Sequence, residues 1–417
     1  RCILKVSSEN DQVVVVAGLI CKPNAPTELG VTWKWAEAYA ELGKAVVVVT
    51  HKSQESYFDG YELPKAIEVV FLGNSRRFSH NPATLLEALG LWLSALNWSF
   101  SVRKWVKSQK KLPSLVQHTS ISSLRLPTPL IWGESSSVWG PLGGGHLGNI
   151  GKLGFKSRLY ESVRNLSIYC FGFIAKLLVP KRIKKTLTVL ATNSPTFDLL
   201  SKVGFQRIYF ELSDGISTSK MVMKKSKFEV SPNRPLKIIW AGRLVDSKRP
   251  RLAILALSKL HRKGINAELT FFGSGDRAKL VSYSKELRLE EKVKFAEAIE
   301  WEDLMKKLQD FDVTLFTSGR DSSSPFLLES LYTGLRCIAI RTQVVEGIFP
   351  ESLVPGPRDV EKSDQDLAEK LAEEVEKWFN LPNEVKVELI QDAMEFARSH
   401  AWLKKAERVL TFSQGND

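Results

Sequence analysis

Long apolar runs are missing from this chain of 417 residues. No stretch approaches the ~18–20 uninterrupted apolar residues that a membrane-crossing helix needs. Cysteine is scarce: Cys2, Cys21, Cys170 and Cys337 stand far apart without Cys-x-x-Cys spacing. That excludes a disulfide framework and a cysteine-based zinc site, and it suits buried thiols in a reducing compartment. No His/carboxylate cluster marks a metal site, so none is assigned. The phosphate-loop signature with Gly-Lys-Ser/Thr is absent, as are short-period repeats and low-complexity tracts. No signal peptide is visible, and the start, Arg1-Cys2-Ile3-Leu4, reads as a trimmed or incomplete terminus. The Asn-x-Ser sequons at Asn97 and Asn165 carry no meaning for a cytoplasmic chain.

What the sequence does have is length, a globular composition and positive charge. Single cores stop growing near ~250–300 residues, so two domains are expected. The composition, 43% hydrophobic and 25% charged, is that of a folded globular protein. A net charge of +13 favours an anionic partner: a nucleotide, an anionic lipid surface or nucleic acid. The excess is uneven. Lys152, Lys156, Arg158, Arg164, Lys176, Lys181, Arg182, Lys184 and Lys185 are opposed only by Glu161, whereas Asp359 to Glu395 is rich in acids.

Short β-branched runs alternate with helical patterns in the first half. Gln12–Leu19, Lys44–Thr50, Ala66–Leu72, Leu115–His118, Pro129–Trp132 and Thr188–Thr192 read as strands, and Thr32–Leu42 as a helix. Continuous valine runs between turns suit parallel strands covered on both faces. The second half restarts the pattern. Strands are expected at 235–241, 267–272, 292–296, 313–316 and 335–340, with helices at 250–263, 277–287, 301–308 and 325–333. The fold class is therefore α/β, two Rossmann-like doubly wound domains facing a cleft. Residues 1–216 form the first domain, the polar and basic 217–234 a linker, 235–395 the second domain and 396–417 a returning tail helix.

Three motifs lie at expected strand ends of the second domain. Ala241-Gly242-Arg243-Leu244 with Lys248 offers a close turn and two cations, a pair suited to a diphosphate. Two surface charges after a turn satisfy the same pattern. Phe272-Gly273-Ser274-Gly275-Asp276 permits backbone approach to a nucleotide, although a plain tight turn looks the same. Thr317 to Glu329 places Asp321 and Glu329 eight positions apart around a serine loop and a helix start at Pro325. Backbone donors there suit an anion, and Glu329 suits vicinal ribose hydroxyls. The bland reading is a turn residue and a partly solvated helix face. The three motifs occur in order, each at a strand end of one sheet, and that order favours a site.

These residues resemble the retaining glycosyltransferases of family 4, the group 1 type with the two-domain GT-B architecture. Gly242, Arg243, Lys248, Gly273, Gly275, Asp321 and Glu329 match that family's motifs. Cys21 to Trp35 is similar to the loop "SE-x-GVGW-x-W" of a bacterial subgroup. His118-Thr119 and Trp139 to Gly145 are similar to its "HHVT…WGPxGGG" pair. Asp214-Gly215-Ile216 resembles its "NGI", and Trp402 with the last helix resembles the tail that crosses back. The resemblance implies a nucleotide-diphosphate sugar as donor, with no cofactor and no metal. Arg243 and Lys248 would bind its phosphates, Glu329 the ribose, and Asp321 with Ser323, Ser324, Pro325, Phe326 and Leu327 the sugar. Glu28 and Gly30 would approach the phosphates, and His118 the sugar or acceptor. The absence of a DxD motif fits. Two glycines of the sugar loop are missing, because Asp321 is followed by Ser322-Ser323-Ser324, and the family's "GGP" reads Arg341-Thr342-Gln343-Val344.

Hydrolysis-free sugar transfer to a glycan or lipid-linked acceptor in cell-surface polysaccharide synthesis is the implied function. A catalytically inactive homologue that binds a nucleotide sugar as sensor or assembly subunit is the alternative. A nucleic-acid binder lacks any supporting signature. Gly143–Gly145 reads as a hinge or acceptor loop. Leu85–Val106, with four aromatics, reads as core or as a membrane-surface helix. Ile168–Val179 with Lys181, Arg182, Lys184 and Lys185 suits an anionic membrane surface, placing the chain in the cytoplasm and peripherally at the inner membrane face.

Overall fold

A computed structural model describes residues 12–25, 28–75, 77–79, 84–121, 123–132, 136–145, 155–218, 221, 234–297, 299–321, 323–359 and 363–414. Cys2, Pro26, Thr27, Lys152, Ser322 and most of the expected linker lie outside them, as do the side chains of Lys156, Arg158, Glu161 and Arg164. The chain divides into two compact units. One is Arg1–Leu147, Val163–Asp214 and Trp402–Asp417; the other is Gly148–Ser162 and Gly215–Ala401.

The first unit is a parallel sheet of strands β1 (Val13–Gly18), β2 (Ala45–His51), β3 (Ile67–Leu72), β4 (Leu115–Ser120), β5 (Ser137–Leu142), β6 (Thr188–Ala191) and β7 (Arg207–Phe210), in the order β3-β2-β1-β4-β5-β6-β7. Its helices are α1 (Glu28–Glu41), α2 (Leu85–Lys107), α3 (Phe155–Leu178) from Val163 onward, α4 (Lys181–Thr186), α5 (Ser194–Val203) and α13 (Trp402–Gln414). The valine runs show why the sheet is covered twice. Side chains alternate across a strand, so Val14, Val16, Val46 and Val48 pack with Trp35, Tyr39, Trp402 and Val409 of α1 and α13. Val13, Val15, Val47 and Val49 face the other way, with Trp98 and Val102 of α2, Val179 after α3 and Leu200 of α5.

The α13 helix is pinned by a buried ammonium. Lys405 Nζ donates to the Leu212 carbonyl and, at 2.8 Å, to that of Asp214, and lies 4.5 Å from the Trp402 ring centroid. Burial holds its amine down at about 8, against the opposing pull of Glu211. Glu211 is itself gripped by Arg408 at 2.8 and 3.0 Å.

The second unit is a parallel sheet of β8 (Leu236–Ala241), β9 (Ala267–Phe272), β10 (Val293–Ala296), β11 (Val313–Phe316) and β12 (Arg336–Ala339), in the order β10-β9-β8-β11-β12. The helices are α6 (Pro250–Arg262), α7 (Arg277–Glu286), α8 (Trp301–Lys307), α9 (Pro325–Thr333), α10 (Gln343–Ile348), α11 (Asp364–Asn380) and α12 (Asn383–Arg398). Both sheets reverse their winding once, between β1 and β4 and between β8 and β11. Outside the strands' carboxyl ends at such switch points lies the crevice that binds ligands in this fold class.

Two expectations are corrected. Pro129–Trp132 is a 3-10 turn, not a strand; Pro129 has no N–H for a ladder. The neighbour of β4 is β5, whose ladder to β6 shifts register between Trp139 and Leu142, around Gly140-Pro141. The second is Lys184. It is buried and donates from Nζ to the Lys176 carbonyl at 2.6 Å, capping the end of α3, so it cannot belong to a solvent-facing basic cluster. Among the described residues no helix is long and apolar enough to cross a membrane.

Candidate functional site

The second unit gathers its three motifs at the β8/β11 switch point. The turn after β8 is stitched to the turn after β9: Gly242 N–H donates to Phe272 O at 3.0 Å and Leu244 N–H to Ser274 O at 2.8 Å. Glycine is required there. A Cβ on Gly273 would stand 1.9 Å from the Gly242 carbonyl oxygen, at a φ of +152°.

The same turn is also tied to β11. Thr317, buried at the end of β11, accepts from Trp240 Nε1 at 2.9 Å, and its hydroxyl lies 2.9 Å from the carbonyl oxygens of Lys248 and Arg249. Arg249 continues across to Asp359, at 2.6 and 3.3 Å, and its guanidinium passes where a Cβ on Gly319 would be, at 2.9 Å. Neither Thr317 nor Asp359 stands out in the sequence, since each is an ordinary residue in a loop or at a strand end. What they build is a rigid frame for Lys248.

Lys248 Nζ lies 2.6 Å from Asp321 Oδ2, with both side chains mostly shielded from solvent. A second, weaker contact reaches the Arg320 carbonyl at 3.4 Å. The cation of the first motif and the first acid of the third are thus partners. Arg243, in the turn after β8, stands exposed, with no ion pair among the described residues. Glu329, within α9, is half-buried and accepts from Trp301 Nε1 at 2.8 Å, which orients its carboxylate. Trp301 opens α8; the sequence marks it only as a helix start.

The helix α9 begins from a strained residue. Ser324 is its N-cap with φ +51° and ψ +55°, the left-handed region. Its hydroxyl is buried with no hydrogen-bond partner. Ser323 is buried as well, Pro325 and Phe326 are half-buried, and Leu327 packs into the interior with its N–H on Ser324 O at 3.0 Å.

In the first unit, Glu28, Gly30 and His118 come from elements at the β1/β4 switch point. Glu28 is exposed at the start of α1. Gly30 has the Ala25 carbonyl oxygen 1.9 Å from where a Cβ would sit, so the loop after β1 lies directly on the helix. Thr32 ties that loop down, its hydroxyl donating to Ile20 O at 3.0 Å. His118 is only 1% exposed; its Nδ1 lies 2.9 Å from the Thr128 hydroxyl and its ring 5.4 Å from Trp98. Burial drives its pKa down to about 3, so the ring is neutral. Gly145, the last residue of the triple glycine, rests on α5: its N–H donates to Thr196 Oγ1 at 3.1 Å.

Residues 222–395 match the family described as Glycosyl transferases group 1. No curated protein matches the chain in sequence. Solved structures do resemble it in fold. A glycosyltransferase from Rickettsia africae ESF-5 superposes with a TM-score of 0.64 at 14% identity, over 98% of this chain and 100% of that one. WaaG, a glycosyltransferase involved in lipopolysaccharide biosynthesis, gives 0.58 at 14% identity over 97% and 100%. The lipopolysaccharide outer core galactosyltransferase WaaB gives 0.59 at 12% identity over 97% and 100%. Residues 222–395, which lie in the second unit, are thus similar to the group 1 glycosyltransferases, and the two parallel-sheet Rossmann-like units share the GT-B fold of these solved structures.

Proposed function

We propose that this chain is a retaining, metal-independent glycosyltransferase that moves a sugar, a hexose or a relative, from a nucleoside-diphosphate sugar to a glycan or lipid-linked acceptor in cell-surface polysaccharide synthesis. The observation that carries the reading is the 2.6 Å contact of Lys248 with Asp321, which joins the turn after β8 to the loop that leads from β11 into α9, the helix of Glu329.

The chemistry follows from that set. The bond between the anomeric carbon and the diphosphate breaks, and negative charge grows on the departing phosphate. Arg243 and Lys248 stabilise it, standing where a metal ion would otherwise be needed. The acceptor hydroxyl oxygen bonds to the anomeric carbon on the face the phosphate leaves, and its proton passes to a phosphate oxygen. No side chain is assigned as a covalent nucleophile. Asp321 accepts from sugar hydroxyls while its contact with Lys248 holds it in place. Glu329, oriented by Trp301, accepts from the ribose, and Ser323 with the backbone from Ser324 to Leu327 lines the sugar loop. Gly242, Gly273 and Gly275 let the chain come close to the nucleotide. In the first unit, His118, neutral and buried, holds its loop through Thr128 and is not a proton donor.

The test is a panel of UDP-, GDP-, ADP- and dTDP-linked hexoses with bacterial lipid and glycan extracts as acceptors, run with EDTA and read by nucleotide release, product mass spectrometry and the anomeric configuration. One donor is expected to turn over with retention, and Glu329→Ala or Lys248→Ala to lower kcat/KM by about 100-fold. Binding of a donor without turnover would favour the inactive-homologue reading, and turnover indifferent to both variants would remove the site.

A further inference from the structure

Helix α3 is apolar on both sides. Its inward face, Ile168, Gly172, Ala175 and Val179 just after it, closes on the sheet. At 3.6 residues per turn, the opposite face carries Leu166, Tyr169, Phe173, Ile174, Leu177 and Leu178, all exposed, Leu177 by 67%. A helix packed on one side of a globular protein ordinarily turns a polar face to water.

Helix α2 repeats the arrangement. Trp98 and Val102 are buried, while Leu86, Leu89, Leu93 and Phe100 form a stripe at spacings of three, four and seven, with Leu86 82% exposed. Both helices contribute to the same core cluster, on the side of the sheet away from α1 and α13. Their apolar stripes therefore belong to one layer and point away from one face of the unit. Exposed apolar stripes on two helices of one layer mark an interaction site.

Charge identifies the occupant. Each stripe ends in cations: Lys104 and Lys107 for α2, and Lys176, Lys181, Arg182 and Lys185 for α3, all exposed. From Ser162 to Thr186 no acidic residue occurs. A protein partner needs only apolar complementarity, whereas an apolar stripe ending in a cation cluster matches an acyl layer under anionic headgroups.

We propose that the outward faces of α2 and α3 together dock the first unit on an anionic bilayer surface, with Leu86, Leu93, Phe173 and Leu177 inserted and Lys181, Arg182 and Lys185 at the headgroups. Neither helix crosses the bilayer. The proposal stands independently of the transferase reading, because none of these residues belongs to the donor site.

The test is flotation of the full chain with vesicles of phosphatidylcholine alone or with a third phosphatidylglycerol. The chain is expected to float with the anionic vesicles only, and less at high salt. The triple variant Lys181→Gln, Arg182→Gln, Lys185→Gln should bind about 100-fold more weakly, at roughly one decade or less per cation lost. Phe173→Ser with Leu177→Ser, and separately Leu86→Ser with Leu93→Ser, should each weaken binding about 10-fold or more with an unchanged melting temperature. These side chains are exposed, so folding is expected to survive. Cys170, exposed on the same face of α3, gives a second readout that needs no substitution on that face. With Cys2→Ser, an environment-sensitive dye on Cys170 should shift to the blue when anionic vesicles are added. No flotation and no shift would overturn the proposal. So would binding indifferent to either apolar pair, or a dimer in light scattering that the serine variants dissociate without any vesicle binding, which would make the surface a contact between two copies.

Discussion

Lys248 and Asp321 meet at 2.6 Å across the β8/β11 switch point, 73 residues apart in the chain. Their positions follow from two turns that Thr317 and Arg249 lock together. The cation assigned to the donor's phosphates and the carboxylate assigned to its sugar are thus held at one spacing before any donor arrives. A preorganised pair of this kind reduces the reorganisation that binding would otherwise require.

Replacing Lys248 by Ala should weaken nucleoside-diphosphate binding by about 10- to 100-fold, the value of a charge-assisted hydrogen bond. The melting temperature should fall as well, because the mostly shielded Asp321 carboxylate loses its cation. Asp321→Asn should spare nucleoside-diphosphate binding and lower kcat. Calorimetry beside a thermal melt separates these effects.

Gly273→Ala should destabilise the second unit by about 2 kcal/mol or more, because its Cβ would collide with the Gly242 carbonyl oxygen in a left-handed backbone. Urea unfolding measures the cost, and donor binding should fall with it because the same turn shapes the site.

Ser324→Gly is expected to do the opposite and raise stability by about 1 kcal/mol. It relieves a left-handed serine and removes a buried hydroxyl with no partner. The greater freedom of glycine in the unfolded chain offsets part of that gain. The same denaturant measurement decides the sign.

Acid should destabilise the first unit through His118. Its pKa is about 3 in the fold and about 6.5 in an unfolded chain, so the unfolded state takes up the proton first as pH falls. The stabilisation is complete above about pH 6.5 and is lost toward pH 3, at up to about 1.4 kcal/mol per pH unit. His118→Gln should make that slope shallower, while His51, whose pKa burial lowers to about 4, keeps contributing in the same sense. Between pH 6 and 8 the transfer rate should show no inflection from His118.

Much of this was legible in the sequence, for physical reasons. Valine runs covered on both faces gave β1 and β2 unmistakably, and the restart at Pro235 announced a second sheet. The first two motifs sit at their strand ends because Gly242 and Gly273 directly follow the apolar runs of β8 and β9. Strand β5 was hidden by Gly140-Pro141, which reads as a loop until the register shift around it is seen. Trp301, Thr317 and Asp359 were invisible because each acts through a partner 28 to 110 residues away. Lys184 misled because a basic cluster does not say which of its members turns inward to cap a helix.

The most direct test is calorimetric titration of the full chain with UDP, GDP, ADP and dTDP, on the wild type and on Glu329→Ala. The account predicts saturable one-to-one binding of one of them, weakened at least about 10-fold when Glu329 no longer accepts from the ribose. Failure of all four to bind, or equal affinity in the variant, would contradict it.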